Sequence, residues 1–389
     1  MSHEHAPDEQ RQPAEVRLAD ELAFLAAWDG GPRPPSWRLT PRAVVTFICG
    51  SRGAPLRLPP ESQAAAGAAS SRVIEEKFVG DRALVERAVV TLAGERGLLL
   101  VGEPGTAKSM LSELLAAAVS GTSALTIQGT AGTTEDQIKY GWNYAALLAH
   151  GPTPHALVPS PVATAMRLGA VARVEEITRC LPEVQDALIS LLSERRMSVP
   201  ELTGEDGAHS IPARQGFNVI ATANLRDRGV SEMSSALKRR FNFEVVPPIG
   251  DRKLEVALVR RQAEAALARV GAPLKVDDAV MEALVTTFRD LREGRTVEGW
   301  GVERPSTVMS TAEAVEVATA LGLQVAFLGA DRDPAGLLPG YLLGVVLKDD
   351  PKDRGRLLAY WDVAVKRRAE EGARLWRHLL ELRAVLESS

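Results

Sequence analysis

Eight consecutive residues, Gly102 to Ser109, carry the clearest chemical signal in this sequence. They read GEPGTAKS, close to the pattern G-x-x-x-x-G-K-[ST], in which a glycine-rich backbone surrounds phosphate and the lysine contacts it. Ala107 occupies the position of the second glycine. A buried-strand pattern, GLLLV, precedes the loop and an apolar helical pattern follows it, which is the context that such a loop needs. The alternative is a Gly-Pro turn before a helix that happens to contain Lys-Ser.

The residues of this loop offer the groups that a nucleotide needs. Lys108 would place its charge on the β- and γ-phosphates, Ser109 would hold Mg²⁺, and N–H groups at the helix start would bind phosphate oxygens. We expect Lys108 to be exposed before nucleotide binds, and Ala107 to approach phosphate with a negative φ. The predicted nucleotide-binding residues here are Gly102, Glu103, Pro104, Gly105, Thr106, Ala107, Lys108, Ser109 and Met110.

Two adjacent carboxylates end a hydrophobic strand pattern in the segment VARVEEITR. Glu175 is predicted to help hold Mg²⁺, and Glu176 to orient or deprotonate an attacking water. The same pattern contains Arg173, which is unusual in a central strand. The alternative is an ordinary acidic helix start, since carboxylates favour the N-terminal turn of a helix.

Polar residues also mark two later strand patterns. Asn224 ends NVIATAN, and its amide could hydrogen-bond the γ-phosphate or the attacking water. Arg239 and Arg240 directly precede FNFEVV, and an arginine there could reach the nucleotide of a neighbouring subunit as an arginine finger. A strand-terminating turn residue and a surface charge cluster are the respective alternatives.

The elements that must position these residues alternate between residues 72 and 249. Short apolar runs separated by helical patterns predict a mostly parallel sheet with helices on both faces. Ligands of such sheets bind beyond the carboxyl ends of the strands. Residues 1–71 are predicted to be an N-terminal appendage and linker, and residues 250–389 a helical domain. One final helix would carry a leucine stripe of Leu375, Leu379, Leu382 and Leu386.

The overall composition is that of an ordinary globular chain. Its 389 residues are 45% hydrophobic and 25% charged, with a formal net charge of −4. The mild acidity and the lack of an aromatic-basic pattern argue against a nucleic-acid partner. The polar N-terminus is not a signal peptide, and no apolar run reaches the length of about 18 residues that a membrane span needs. We therefore expect a cytoplasmic protein without membrane contact.

The order and spacing of the four motifs resemble those of the MoxR-type AAA+ ATPases of the helix-2-insert clade, over roughly residues 72–385. The resemblance rests on FVGDRALVERAVVTLAGERGLLLVGEPGTAKS, on VEEITRCLPEVQDALISLLSERRMSV and on FNVIATANLRDRGVSEMSSALKRRFNFEV. These ATPases typically carry alanine before the lysine, so Ala107 is no sign of a decayed site. The resemblance implies an α/β fold: a P-loop AAA+ parallel-sheet nucleotide domain, a C-terminal helical lid, and a short N-terminal appendage outside the resemblance.

The resemblance also assigns a role to each candidate residue. These roles are Walker A for Lys108 and Ser109, Walker B for Glu175 and Glu176, sensor 1 for Asn224, and the arginine finger for Arg240. Residues 128–162 would form the helix-2 insert, and residues 197–217 a hairpin before sensor 1. The cofactors implied are ATP and Mg²⁺, bound between the subunits of a ring that is a hexamer in this family.

The sequence departs from the family pattern at two site positions. Glu175 replaces the usual aspartate, so Glu175→Asp is expected to keep or raise activity. Val308 occupies the position of the sensor 2 arginine, and Arg304 lies nearby as its substitute.

Three hypotheses of function follow. The first is an ATP-hydrolysing, chaperone-like remodeller of protein clients that works with a von Willebrand factor A domain partner, as MoxR-type proteins commonly do. The second is a nucleotide-gated scaffold that assembles on binding ATP but hydrolyses it weakly, which Glu175 and the altered sensor 2 favour. The third is a nucleic-acid motor, because helicase rings share the insert clade.

Overall fold

The structure is a computed structural model, and it describes residues 12–61, 70–204, 207–224, 231–329 and 333–388. It divides into two compact units: Met1–Gly102 with Ala107–Val246, and Glu103–Thr106 with Pro247–Ser389. The predicted domain boundaries at residues 71 and 249 stay predictions.

The strands are β1 Leu56–Arg57, β2 Ser71–Arg72, β3 Gly97–Val101, β4 Thr126–Gln128, β5 Tyr140–Trp142, β6 Leu157–Pro159, β7 Val171–Glu175, β8 Arg196–Gly204, β9 Gly207–Pro212, β10 Asn218–Ala223 and β11 Phe241–Val245.

Helices separate most of these strands and fill the second unit. In the first unit they are Ala14–Arg17, Ala19–Trp28, Pro41–Cys49, Arg82–Ala93, Lys108–Ser120, Glu135–Ile138, Tyr144–His150, Pro161–Leu168, Pro182–Ser193 and Ser235–Lys238, with a 3₁₀ turn at Ile177–Arg179. In the second unit they are Arg252–Ala268, Asp278–Glu293, Thr311–Leu328, Pro334–Val346, Asp353–Tyr360, Lys366–Glu370, Arg374–Glu381 and Arg383–Ser388, with a π-helical turn at Trp361–Val365.

The predicted parallel sheet is confirmed. It has five strands in the order β11-β3-β10-β7-β4, and every neighbouring pair is parallel. β3 is buried on both faces because its side chains alternate between two core clusters. Leu98 and Leu100 belong to one cluster, and Leu99 and Val101 to the other. This explains why the run GLLLV is apolar at every position after its glycine.

The N-terminal helices share the core of the first unit. Leu25 and Phe47 belong to the same cluster as Leu98 of β3 and Leu115 of the helix Lys108–Ser120. Polar contacts join them as well, since the backbone N–H of Ala14 donates to Glu113 Oε1 at 3.0 Å. The described part of the N-terminal segment is therefore built into the core beside the sheet.

Two antiparallel hairpins interrupt the alternating pattern. β5 pairs with β6 inside the predicted insert, and the helix Tyr144–His150 lies between them in the chain. β8 pairs with β9, which confirms the hairpin expected before Asn224.

The second unit is helical, as predicted, around a core that includes Phe288, Leu321, Tyr360 and Trp361. The predicted single final helix is wrong, because the chain leaves helical geometry at Leu382 and forms two short helices instead.

Among the described residues one helix, Thr311–Leu328, is long and apolar enough to cross a membrane by length and composition. Core helices pass the same test, and Ala314, Val317 and Leu321 of this helix are buried in the core of its unit.

Candidate functional site

The carboxyl ends of three adjacent strands bring the predicted site residues of the first unit together. β10 lies between β3 and β7, with Ala223 level with Val101 and Ala221 level with Val174. Directly beyond these strands, the backbone N–H of Gly102 donates to the carbonyl of Ala223 at 3.3 Å. Gly102, Asn224 and the two glutamates therefore lie at one edge of the sheet, where parallel sheets bind their ligands. Their individual roles stay predictions.

The helix that follows the loop, Lys108–Ser120, begins without a side-chain cap. Its N-cap residue is Ala107 in the left-handed conformation, with φ 65° and ψ 23°, so the expected negative φ is wrong. Several helices of the first unit are capped by a side chain, such as Thr40 on the N–H of Ala43, whereas Ala14–Arg17, Ala19–Trp28 and Pro182–Ser193 also lack such a cap. An uncapped helix start suits an anion, whose oxygens can accept from N–H groups of the first turn.

The three side chains that follow Ala107 point to different surroundings. Lys108 is only 7% exposed, and its Nζ donates to the carbonyl of Gly102 at 3.1 Å. The expectation that Lys108 is exposed without nucleotide is therefore wrong: the lysine lies folded against its own loop. Ser109 is exposed, and Met110 is half-buried against the hydrophobic core. Of these three residues, Ser109 is therefore the exposed one.

The middle of the loop, Glu103–Thr106, groups with the second unit. Thr106 Oγ1 donates to the carbonyl of Glu103 at 2.9 Å and so closes the turn. Gly105 has a φ of 75°, and an added Cβ would lie 2.3 Å from the Cβ of Ser310. Glycine is thus required at this position for both backbone conformation and space.

Arg304, the predicted substitute for sensor 2, also belongs to the second unit. Its Nη2 donates to the carbonyl of Glu293 at 2.5 Å, and its side chain lies over Gly294. The helix Asp278–Glu293 ends there, so Arg304 supplies a donor to carbonyls that a helix end leaves free. This contact serves the helix, and a role for Arg304 at the nucleotide stays a prediction.

Glu175 is buried, and both of its carboxylate oxygens already accept hydrogen bonds. Oε1 accepts from the hydroxyl of Ser112 and, at 2.8 Å, from Arg173 Nη2. Oε2 accepts from Thr222 Oγ1 at 2.8 Å. The longer glutamate side chain reaches three donors on different elements, and an aspartate would be withdrawn from them by one methylene. This geometry reverses the expectation for Glu175→Asp: the shorter residue should lower activity.

The backbone of Glu176 has an uncommon conformation. Its φ of 53° and ψ of 47° are left-handed, which costs a non-glycine residue about 1–2 kcal/mol. The N–H of Glu176 donates to Thr222 Oγ1 at 2.9 Å and so secures the turn. Its side chain forms an ion pair with Arg179 Nε at 2.6 Å and remains 32% exposed. Strain of this kind concentrates at functional sites.

Three residues that contact the carboxylate of Glu175 were not among the predicted site residues: Ser112, Arg173 and Thr222. Arg173 had stood out in the strand pattern, but its partners could not be known from the sequence. Thr222 was visible as a polar residue in NVIATA, two positions before Asn224. Because alternate residues of a strand share a face, that spacing was the available signal.

Asn224 and Arg240 lie at opposite ends of the sheet. Asn224 follows β10 at the carboxyl edge and is 8% exposed. Arg240 directly precedes β11, and its carbonyl accepts from the N–H of Gly97 at the start of β3. A strand of this length spans roughly 16 Å, so Arg240 is about that far from the loop that follows β3 in the same chain. Its guanidinium donates to Ser193 Oγ at 2.8 Å and to the carbonyl of Ala236 at 2.7 Å.

The residues at this edge fit ATP and allow Mg²⁺. The uncapped helix start and Lys108 supply donors for phosphate oxygens. For Mg²⁺ the chain offers the hydroxyl of Ser109, an exposed residue, and the carboxylate of Glu175; the described residues contain no group of three or more His, Cys, Asp or Glu side chains that could hold a metal ion. This donor set suits an ion that takes most of its ligands from phosphate and water, as Mg²⁺ does.

Comparison with known proteins identifies both units. Residues 97–241 match the AAA domain of the dynein-related subfamily, and residues 253–387 match the C-terminal domain of YehL-like AAA+ ATPases. The chain is 51% identical to the uncharacterized protein YehL of Escherichia coli (strain K12) over 358 residues, 92% of each chain. It is 30% identical over 198 residues to the uncharacterized protein SH1500 of Staphylococcus haemolyticus, covering 51% of this chain and 68% of that one.

A solved structure of NtrX from Brucella abortus in complex with ATP is also similar. It is 13% identical in sequence, with a TM-score of 0.48, over 78% of this chain and 67% of that one.

Proposed function

This chain belongs to the YehL-like AAA+ ATPases, and we propose that it binds ATP with Mg²⁺ and hydrolyses the bond between the β- and γ-phosphates. One observation carries the proposal: an uncapped helix start, two carboxylates and a buried amide meet at the carboxyl ends of β3, β7 and β10. These are the groups that phosphoryl transfer to water needs: phosphate donors, an ion ligand and a base.

Each residue of the edge has one task in this mechanism. Lys108 leaves the carbonyl of Gly102 and donates to phosphate oxygens, and the first-turn N–H groups donate to the remaining phosphate oxygens. Ser109 would hold Mg²⁺ when it is bound, with help from the carboxylate of Glu175, and the ion would neutralise charge on the phosphates. Glu176 orients the attacking water and takes its proton once its carboxylate leaves Arg179. The amide of Asn224 orients the water or the γ-phosphate.

We propose further that the active form is a ring, hexameric as in the MoxR-type proteins that this chain resembles. The position of Arg240 supports self-assembly, because the arginine lies at the opposite end of the sheet from its own phosphate loop. It can act as an arginine finger only on the nucleotide of a neighbouring copy.

The cellular role that we propose is remodelling of protein clients in the cytoplasm, together with a partner that carries a von Willebrand factor A domain. This part of the proposal is supported by the resemblance to MoxR-type ATPases. It involves no membrane, and the formal net charge of −4 does not favour nucleic acid.

A nucleotide-gated scaffold is the second candidate, and a specific observation favours it. The carboxylate of Glu176, the predicted base, already has a cationic partner within the chain, Arg179. Arg179 must leave this carboxylate before it can accept the proton of water. Hydrolysis would be slow if Arg179 does not leave.

Phosphate release and nucleotide binding test the proposal together. We expect ATP-dependent phosphate release that DNA does not stimulate. Lys108→Ala should lose ATP binding, whereas Lys253→Ala, a control at an exposed lysine of a helix in the second unit, should keep it. Glu176→Gln should bind ATP and lose about 10²–10⁴-fold in turnover, because the amide cannot accept the proton of water.

The control for Glu176→Gln is Glu183→Gln, an exposed position on the helix that follows. Unchanged ATP affinity in Lys108→Ala would contradict the nucleotide site. Binding without turnover in the wild-type chain would favour the scaffold, and turnover that requires DNA would favour a nucleic-acid motor.

A further inference from the structure

Arg173 is a buried arginine inside the central sheet. It belongs to β7, which has β10 on one side and β4 on the other, and its side chain is 11% exposed. All five of its N–H groups are used. Nε donates to Ser112 Oγ at 2.9 Å, Nη1 to the carbonyl of Ser123 at 3.1 Å and to Thr126 Oγ1 at 3.2 Å, and Nη2 to the carbonyl of Ser109 at 3.1 Å and to Glu175 Oε1 at 2.8 Å.

These contacts join the phosphate-loop helix Lys108–Ser120 to the carboxylate strand. The carbonyl of Ser109 lies in the first turn of that helix, and Ser112 lies one turn further on. Arg173 therefore contacts both residues predicted to hold Mg²⁺. It donates to the backbone carbonyl of Ser109 and to the side-chain carboxylate of Glu175. Thr222 continues the network to the backbone of Glu176.

The contacts also settle the charge balance at the edge of the sheet. A carboxylate that is 5% exposed needs compensation, and Glu175 finds it in a cation 2.8 Å away. A triphosphate bound at the start of the same helix would be repelled by an uncompensated carboxylate. Removal of Arg173 would leave that buried charge facing the phosphates.

We propose that Arg173 is a positioning residue of the nucleotide site: it compensates the charge of Glu175 and fixes the first turn of the phosphate-loop helix against that carboxylate. The inference deepens the proposed function and rests on it, because it concerns the same bound nucleotide. Arg173 acts through Glu175 and Ser109, so it touches neither phosphate nor water.

Titration of a fluorescent ATP analogue into the full-length chain, first in EDTA and then with Mg²⁺, separates the charge effect from general damage. Arg173→Met should raise the Kd in EDTA by about tenfold to a hundredfold, as loss of such supporting residues does. The double variant Arg173→Met with Glu175→Gln should return the Kd in EDTA to within about threefold of wild type, because the uncompensated charge is gone. Addition of Mg²⁺ should lower the Kd of Arg173→Met by a larger factor than the Kd of the double variant.

Arg173→Lys separates charge from geometry, and it serves if Arg173→Met does not fold. Lysine keeps the charge but has three donors for five acceptors. Its Kd in EDTA should stay within about threefold of wild type, while turnover falls about tenfold or more because the first turn is no longer fixed.

Arg195→Met is the matched control. Arg195 Nη1 donates to the carbonyl of Phe217 at 2.9 Å, just before β10 begins and so at the other end of the sheet. This variant should lose stability and keep its Kd for the analogue.

Three results would overturn the inference. They are an Arg173→Met variant with wild-type Kd in EDTA, a double variant no better than the single one, and an Arg173→Lys variant with wild-type Kd and turnover. Failure of the proposed function looks different, because the wild-type chain itself would then bind no analogue and Lys108→Ala would change nothing.

Discussion

At the scale of single residues, the site is marked by backbone conformations that its side chains do not favour. The described residues include five non-glycine positions with positive φ: Ser36, Arg52, Ala107, Glu176 and Arg195. Two of them, Ala107 and Glu176, stand where the loop becomes a helix and where the carboxylate strand ends. Surrounding contacts must hold such residues in place, and strain of this kind is a common property of functional turns.

Ala107→Gly is expected to stabilise the protein by about 0.5–1 kcal/mol. The left-handed conformation costs alanine about 1–2 kcal/mol, and glycine removes this cost. The greater conformational freedom of glycine in the unfolded chain lowers the free energy of unfolding by about 0.5–1 kcal/mol. ATP affinity should be unchanged, because glycine keeps the backbone conformation that the loop already has. Urea unfolding of both proteins measures the difference.

The control for this substitution is Ala117→Gly in the middle of the same helix, where alanine is buried in helical conformation. It should lose about 1 kcal/mol, the usual difference in helix propensity. If Ala107→Gly loses as much stability as Ala117→Gly, the left-handed conformation of Ala107 is not present in solution.

At the scale of elements, a buried polar network connects the segments of the helical unit. Arg368 in the helix Lys366–Glu370 pairs with Asp290 at 2.8 Å and with Glu298 at 2.7 Å. Its guanidinium also lies 4.7 Å from the ring centre of Trp376. One arginine therefore ties together the helix Asp278–Glu293, the loop after it and two C-terminal helices. Because the partners come from separate segments, loss of Arg368 would leave two carboxylates on different segments without their cation.

This network predicts a dependence of stability on acid pH. Burial, the largest single influence, would raise the pKa of Glu298. Hydrogen bonds from Arg368, from the Glu298 backbone and from Thr296, with the charge of Arg368, together outweigh burial and lower the pKa to about 2. A lowered pKa means that the stabilisation is complete above the ordinary value of about 4.5 and is lost as pH falls towards 2. Glu298→Gln should be less stable at pH 7, and its stability should fall less steeply between these two values.

Urea unfolding followed by tryptophan fluorescence, at several pH values, measures this effect. Burial raises the pKa of Asp290, which works in the opposite direction, so the informative quantity is the difference between wild type and Glu298→Gln. Equal pH slopes in the two proteins would show that the Arg368–Glu298 pair contributes nothing.

At the scale of the whole molecule, the parallel sheet separates the phosphate loop from Arg240. Both lie next to β3, but the loop follows its carboxyl end and Arg240 is hydrogen-bonded at its amino end. Within one chain the two cannot meet. If Arg240 serves catalysis, a second copy must supply it.

Mixing two inactive variants tests this requirement. Arg240→Ala should bind ATP and hydrolyse it poorly, and Lys108→Ala should not bind. A mixture contains interfaces at which an intact Lys108 site meets an intact Arg240, so phosphate release should return and should rise with protein concentration. Arg239→Ala is the matched control, since Arg239 is exposed beside Arg240.

Co-assembly of the variants without any recovered activity would rule out a trans role for Arg240. Loss of activity in Arg239→Ala instead would assign the role to Arg239. The side chain of Arg239 is exposed, whereas that of Arg240 contacts Ser193 and Ala236.

The amino-acid sequence is enough to predict the class of the fold and the place of the candidate site. Local patterns were sufficient for this, because a buried parallel strand is apolar throughout and a phosphate loop is a contiguous motif between strand and helix. β3 was predicted residue for residue, and the carboxyl-terminal ends of β7 and β10 were predicted within one residue. Strand order then follows common rules, so Glu175, Glu176 and Asn224 could be expected at one edge.

How those residues are held depends on contacts between distant parts of the chain. The partners of Arg173 come from the helix after the loop, from β4 and from its own strand, and such pairings depend on register between segments far apart in the chain. The left-handed Ala107 and the folded side chain of Lys108 depend on their surroundings, since propensity alone favours the opposite choice. The position of Arg240 depends on strand direction: a parallel β11 puts its first residue away from the loop, where an antiparallel strand would have brought it near.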